Sequence, residues 1–120
     1  MGAHKSSEDG ADAVNDVHLI GRLSAAAELR TLPSDAVMCT FMVIVERRDS
    51  DLRSKQRVDV LNCIAWTPRL RRQVMAWVEG DVVEIEGALR KRFFRTSGGA
   101  TGSRVEVEVR SARKVRRVAA

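Results

Sequence analysis

Tyrosine is absent from this chain, and rings of any kind are few: Phe41, Trp66, Trp77, Phe93 and Phe94. Each of them must be accounted for in any reading of core or ligand. The only cysteines, Cys39 and Cys63, sit inside apolar, strand-like runs. That setting suits small buried hydrophobes better than a disulfide. With the histidines far away, at His4 and His18, they make no zinc site, and neither metal nor cofactor is expected. The same two histidines have no nucleophile or carboxylate at a catalytic spacing. Glu84 and Glu86 pair on one strand face without apolar surroundings to raise a pKa, and Glu106 and Glu108 read the same way, as a solvated face. Gly98, Gly99 and Gly102 lack the Lys-Ser/Thr and the following helix of a phosphate loop. No catalytic residue is expected, and the chain reads as a non-enzyme. No apolar run nears the roughly 20 residues that span a bilayer, and MGAHKSSEDGADA lacks the apolar centre of a signal peptide. Met1-Gly2 meets a myristoylation pattern only loosely, through Ser6. The expectation is no membrane partner and a cytoplasmic, nucleoid-associated protein.

What is present is positive charge, unevenly spread. Of a formal net charge of +5, residues 1–13 carry −2, residues 14–89 carry −1 and residues 90–120 carry +8. Arginine dominates that last quarter. Such asymmetry favours a phosphate-bearing partner. The length of 120 residues allows one domain with a core of moderate size.

Residues 1–13 are small and polar without periodicity and read as a disordered lead-in. The domain is expected over residues 14–112, followed by a basic extension at 113–120, which either extends the last strand through Val115 and Val118 or frays. Val17, Leu19, Gly21 and Leu23 alternate as a Gly-bent strand. Residues 25–30 either prolong it after a bulge or form a helical turn. Leu32-Pro33-Ser34-Asp35 is a turn. Residues 37–46, VMCTFMVIVE, form a strand apolar on both faces, which predicts cover on both sides. Residues 47–57 are a charged loop. Residues 58–66 form the third strand, with Val58, Val60, Asn62, Ile64 and Trp66 on one face. Thr67-Pro68 opens a helix whose apolar stripe is Leu70, Val74, Trp77 and Val78, and Gly80 ends it. Residues 81–95 are the fourth strand, bent at Gly87, and residues 96–103 a Gly/Ser loop. In the last strand, residues 104–110, Val105, Val107 and Val109 face inward.

The order β–β–β–α–β–β, with Gly-bent strands and no parallel crossover, predicts an all-β chain with one helix, a five-stranded Greek-key OB-fold barrel. The fourth strand leaves its apolar ribbon at Leu89 and runs into Arg90, Lys91, Arg92, Phe93, Phe94 and Arg95. Interleaved cations and rings suit a polyanion with stackable faces, as in single-stranded nucleic acid. Alternation puts Phe93 with Val83, Ile85 and Leu89 in the core, and Phe94 with Arg90 and Arg92 on the ligand side. Trp66, at a strand end, is the second candidate ring, and Trp77 is core. The candidate phosphate contacts are Arg22, Arg47, Arg48, Arg53, Lys55, Arg57, Arg90, Lys91, Arg92, Arg95 and Arg104. Arg113, Lys114, Arg116 and Arg117 either extend that track or dangle.

From Asn15 to Val109 the chain resembles bacterial single-stranded DNA-binding proteins. The resembling pieces are Asn15-Asp16-Val17, Leu19-Ile20-Gly21-Arg22-Leu23, Glu28-Leu29-Arg30, Cys63-Ile64-Ala65-Trp66, Val78-Glu79-Gly80-Asp81, Val83-Glu84-Ile85-Glu86-Gly87, Leu89-Arg90 and Val105-Glu106-Val107. The resemblance implies an OB-fold, a homotetramer or else a dimer, and binding without chemistry. It implies bases stacked on Trp66 and Phe94. Two further stacking positions hold no ring: Arg47, Arg48 and Asp49 occupy one, Val58 and Val60 the other. Arg stacking by cation–π substitutes in part. No acidic recruitment peptide is visible after the basic segment: either the sequence is cut short of one, or the chain is a tail-less second paralogue, the type it looks like. The expected function is sequence-nonspecific protection of single-stranded DNA in replication, repair, recombination or DNA uptake. The alternatives are an RNA-binding or replication-restart accessory OB protein, and a protein-interaction module that has lost DNA binding.

Overall fold

The computed structural model describes residues 12–51 and 53–118. Most of the expected N-terminal lead-in, up to residue 11, lies outside them. The elements are β1 (Val17–Leu23), β2 (Glu28–Thr31), β3 (Val37–Glu46), a 3-10 turn (Asp49–Asp51), β4 (Val58–Ala65), α1 (Pro68–Met75), β5 (Val82–Arg95) and β6 (Thr101–Arg116). The two readings left open for residues 25–30 resolve to strand, because Glu28–Thr31 pairs with β3.

The strands lie in the order β1-β5-β6-β4-β3-β2, and β1 returns to β3 at Arg22 and Leu23 to close the ring. β4 and β6 run parallel at Cys63 and Val107, and the other pairings are antiparallel. This is the OB-fold barrel, with its first strand split into β1 and β2. Alternation fills the interior: Leu23, Phe41, Val43, Cys63, Val83, Ile85, Val107 and Val109 all point inward and are buried. Both cysteines are free and buried, as their apolar settings imply. Burial pushes the Cys63 thiol up to about 12.

α1 plugs one end of the barrel against β3, β4 and β6. Thr67 caps it, its hydroxyl accepting from the Leu70 amide at 3.2 Å, and Pro68 takes the first turn, as the sequence indicates. Leu70, Val74 and Trp77 are core, and Trp77 meets Phe41 edge-on at 5.8 Å. The helix ends sooner than Gly80 suggests, at Met75, and Val78 is exposed.

Asp81 is the polar residue that fixes this end. It is buried and accepts from the Val78 amide at 3.0 Å and the Val118 amide at 3.1 Å, with Lys114 Nζ at 4.0 Å. Those amide bonds hold its carboxyl below the usual range, chiefly the one from Val78. The basic extension, left open between strand and frayed end, is strand as far as Arg116, with Arg113, Lys114 and Arg116 paired to Glu84, Val83 and Val82.

At Gly87 the register between β5 and β6 shifts. A Cβ there would stand 2.0 Å from the Glu108 carbonyl oxygen, so only glycine allows the approach. Beyond this bend the two strands continue as an arm off the barrel, turning at residues 96–100. Asn15 ties the base of the arm to the N-terminal segment, donating to the Leu89 carbonyl and accepting from its amide, both at 2.8 Å.

The arm overturns one expectation. Phe93 is 65% exposed and not core. Alternation is intact, but the core runs out: on the same face Leu89 is already 48% exposed, and Val105, expected inside, is exposed too. The outer face of β3 is covered only in part: Met38 is buried, but Met42 is exposed where cover was expected on both sides.

Candidate nucleic-acid interface

Between the arm and β2 lies a groove of about 670 Å³. Its floor is the outer face of β3 and β4. Residues two apart share a strand face, and pairing sets Met42 opposite Asn62 and Thr40 opposite Ile64. One wall is β2, where Arg30 donates to Thr40 Oγ1 at 3.2 Å and to Glu28 at 3.0 Å. The other wall is the arm, through Arg92, Arg104 and Glu106.

The arm wall is an ordered charge cluster. Glu106 is only 4% exposed, which corrects its reading as a solvated residue. It accepts from Arg92 Nε at 3.0 Å and Nη2 at 3.2 Å, with Arg104 Nη1 at 3.9 Å. Arg92 also lies 3.9 Å from the Met38 sulfur. Farther along the same face Phe94 stands across from Gly102. Its ring is half exposed and has the Arg104 guanidinium 5.6 Å from its centroid. Arg90, on the same face, pairs with Glu108 at 3.0 Å. The structure therefore gathers Arg90, Arg92, Phe94 and Arg104 on one side of the arm.

The other predicted residues are not gathered there. Trp66 is half-buried, one residue past the paired end of β4, and is not among the groove-lining residues. Its carbonyl accepts from Arg71 at 2.5 Å, and Arg71 also reaches the Val37 carbonyl at 3.3 Å, which fixes this strand end. Lys91 and Arg95 lie on the opposite face of the arm. Arg22 pairs with Glu46 at 3.4 Å across β1 and β3. Arg47 makes two bonds to Asp59, at 3.1 and 2.8 Å. Those bonds lower the Asp59 carboxyl and raise the Arg47 guanidinium from their usual ranges. Arg48 pairs with Asp51 at 3.4 Å and Arg53 donates to the Ser50 carbonyl at 3.0 Å, while Lys55 and Arg57 are exposed.

A division follows that charge counting alone does not give. Six of the predicted cations, Arg22, Arg47, Arg48, Arg90, Arg92 and Arg104, have carboxylate partners. Among the described residues, Arg53, Lys55, Arg57, Lys91 and Arg95 have none. The first three sit on the 47–57 loop and the last two on the arm.

Sequence reasoning missed Arg30, Met42, Asn62 and Glu106 as groove residues. For Met42 and Asn62 the signal existed, since alternation puts them on one outer face. For Glu106 there was none, because RVEVEVR looks alike at Glu106 and Glu108. At the two positions where the resemblance implies a ring and the sequence has none, Val60 is exposed on the outer face of β4 and Arg47 is tied to Asp59. Among the described residues no group of acids, histidines and cysteines could hold a metal ion, and no helix is long and apolar enough to cross a membrane.

Residues 14–115 match the profile of the single-strand binding protein family. The chain belongs to that family. Similar curated proteins include single-stranded DNA-binding protein 1 of Streptococcus agalactiae serotype III (strain NEM316), 29% identical over 86 residues, 72% of this chain and 53% of that protein. Single-stranded DNA-binding protein A of Bacillus subtilis (strain 168) is 28% identical over 98 residues, 82% of this chain and 57% of that protein. The chain thus spans a little over half the length of these relatives. The family match takes in the groove, the arm and every candidate site residue.

Proposed function

We propose that this chain binds single-stranded DNA, without sequence preference and without chemistry, and so shields exposed strands in replication, repair, recombination or DNA uptake. The observation that carries the reading is Phe94, a half-exposed ring on the groove side of a cationic arm with Arg104 beside it. A base stacking on such a ring gains roughly 1–3 kcal/mol whatever its identity. Trp66 is proposed as a second stacking ring at the end of β4. The cations of the 47–57 loop and the arm would follow the phosphates. Family membership and the names of the relatives point the same way.

Assembly into a homotetramer, or else a dimer, is part of the proposal. β1 pairs with β5 from Val17 to Arg22 but meets β3 only at Arg22 and Leu23. Among the described residues its other edge, over residues 17–21, has no strand partner, and such an edge invites a second copy.

Tryptophan fluorescence tests the binding reading. Oligo-dT is expected to quench Trp66 in a salt-sensitive way, and oligo-U to compete poorly. No quenching, together with unchanged affinity in Trp66→Ala, rejects Trp66 as a stacking ring; preference for oligo-U redirects the reading to RNA.

A further inference from the structure

Phe93 is the most exposed ring of the arm, at 65%. An exposed ring held in a strand costs hydration and contributes no core, so it needs another explanation. Its surroundings supply one. Antiparallel partners share a face, so Leu89, Lys91, Phe93 and Arg95 of β5 lie with Thr101, Ser103 and Val105 of β6. That face contains no acid. Lys91 Nζ sits 5.5 Å from the Phe93 ring centroid, a cation–π distance.

The two faces of the arm therefore repeat one arrangement, a ring with a cation beside it, but differ in their counter-charges. On the groove face Arg90, Arg92 and Arg104 are held by Glu106 and Glu108. On the Phe93 face Lys91 and Arg95 have no carboxylate partner among the described residues. They are free to meet an anion without first breaking an ion pair.

We infer that Phe93, with Lys91 and Arg95, forms a second stacking site for a single DNA strand, on the reverse of the arm. The inference rests on the proposed function and extends it: the strand crosses the hairpin from Phe94 to Phe93 instead of leaving at the groove. The second ring offsets in part the two stacking positions that hold Arg47 and Val60. Charge separates this occupant from a second copy of the chain. Two such faces meeting would bring Lys91 and Arg95 against their own equivalents, which repel, whereas a phosphate backbone neutralises both.

Phe93→Trp provides a reporter at the site, and photocrosslinking of oligo-dT carrying 5-iododeoxyuridine maps the stacked rings. Full-length protein is used, with Phe93→Ala beside Phe94→Ala. The indole placed at position 93 is expected to be quenched by oligo-dT, crosslinks to map to Phe93 as well as Phe94, and Phe93→Ala to weaken a long oligo-dT roughly fivefold or more. Binding by the wild type with crosslinks at Phe94 or Trp66 alone, and undiminished affinity in Phe93→Ala, overturns the second site and leaves the proposed function standing. A change in assembly mass in Phe93→Ala without a change in affinity overturns it in favour of a contact between copies. Absence of any oligo-dT binding by the wild type sinks both readings together. Misfolding does not confuse these outcomes, because position 93 lies outside the core.

Discussion

Phe94 occupies the space that a side chain at Gly102 would need. The two residues face each other across β5 and β6, and a Cβ at position 102 would stand 2.7 Å from the tip of the ring. Glycine is required here for the ring's position and not for the backbone. Gly102→Val is therefore expected to push the ring off its seat while leaving the barrel intact, since the displaced atoms are the far end of one side chain. Oligo-dT affinity should fall toward that of Phe94→Ala, roughly tenfold, with a melting temperature within a few degrees of wild type. Titration and thermal melting by circular dichroism read the two quantities.

Glu106 holds the arm wall together. Truncation in Glu106→Ala leaves Arg92, half-buried against Met38, without its counter-ion. Stability should drop by about 1–3 kcal/mol, the range for a buried charged hydrogen bond left unmet. Affinity for oligo-dT at low salt should hold or rise, because two cations are released toward the groove. Denaturant unfolding and titration of the same variant should thus move in opposite directions.

Acid should weaken the fold through Asp81. Its folded carboxyl is held below the usual range, so the stabilisation it contributes is complete at neutral pH. It begins to fade as pH falls through the ordinary carboxylate range and is gone below the folded value. Glu84, lowered first by His18 and also by Arg113, adds in the same direction. Asp81→Asn is expected to melt several degrees lower at pH 7 and to lose less on acidification to pH 3 than the wild type. Melting curves across that range check both signs.

A proline on the open edge of β1 should prevent assembly. Ile20 is exposed there, and a ring in place of its amide blocks an incoming strand. Ile20→Pro is expected to remain a monomer by light scattering, with circular dichroism reporting the fold. A tetramer of the variant rejects pairing through β1.

The barrel was legible in the sequence because period-2 alternation, the Thr67-Pro68 cap and the glycines at bends are local signals. The strand face of Phe94 was legible for the same reason: alternation separates it from Phe93. Alternation says which residues share a face and not where the core beneath that face ends, and so Phe93 was placed inside. Met42 has the same cause: its apolar strand face is covered at Met38 and open at Met42. Charge counting named the cations, but their partners depend on contacts between residues far apart, such as Arg47 with Asp59. Asp81 gave no local sign at all. Its amide partners, Val78 and Val118, come from the turn after α1 and from the end of the chain.

Rings and unpaired cations should contribute separately to holding a single strand. This is tested most directly by oligo-dT affinity of wild type and Phe94→Ala at about 50 and about 200 mM salt. The five candidate contacts without carboxylate partners among the described residues, Arg53, Lys55, Arg57, Lys91 and Arg95, at about −0.7 each, give a log–log slope near −3.5, or roughly a hundredfold loss between the two salts. Phe94→Ala should bind roughly tenfold more weakly at both salts with the slope unchanged. Salt-independent binding, or a Phe94→Ala variant as tight as the wild type, contradicts separate contributions from ring and cations.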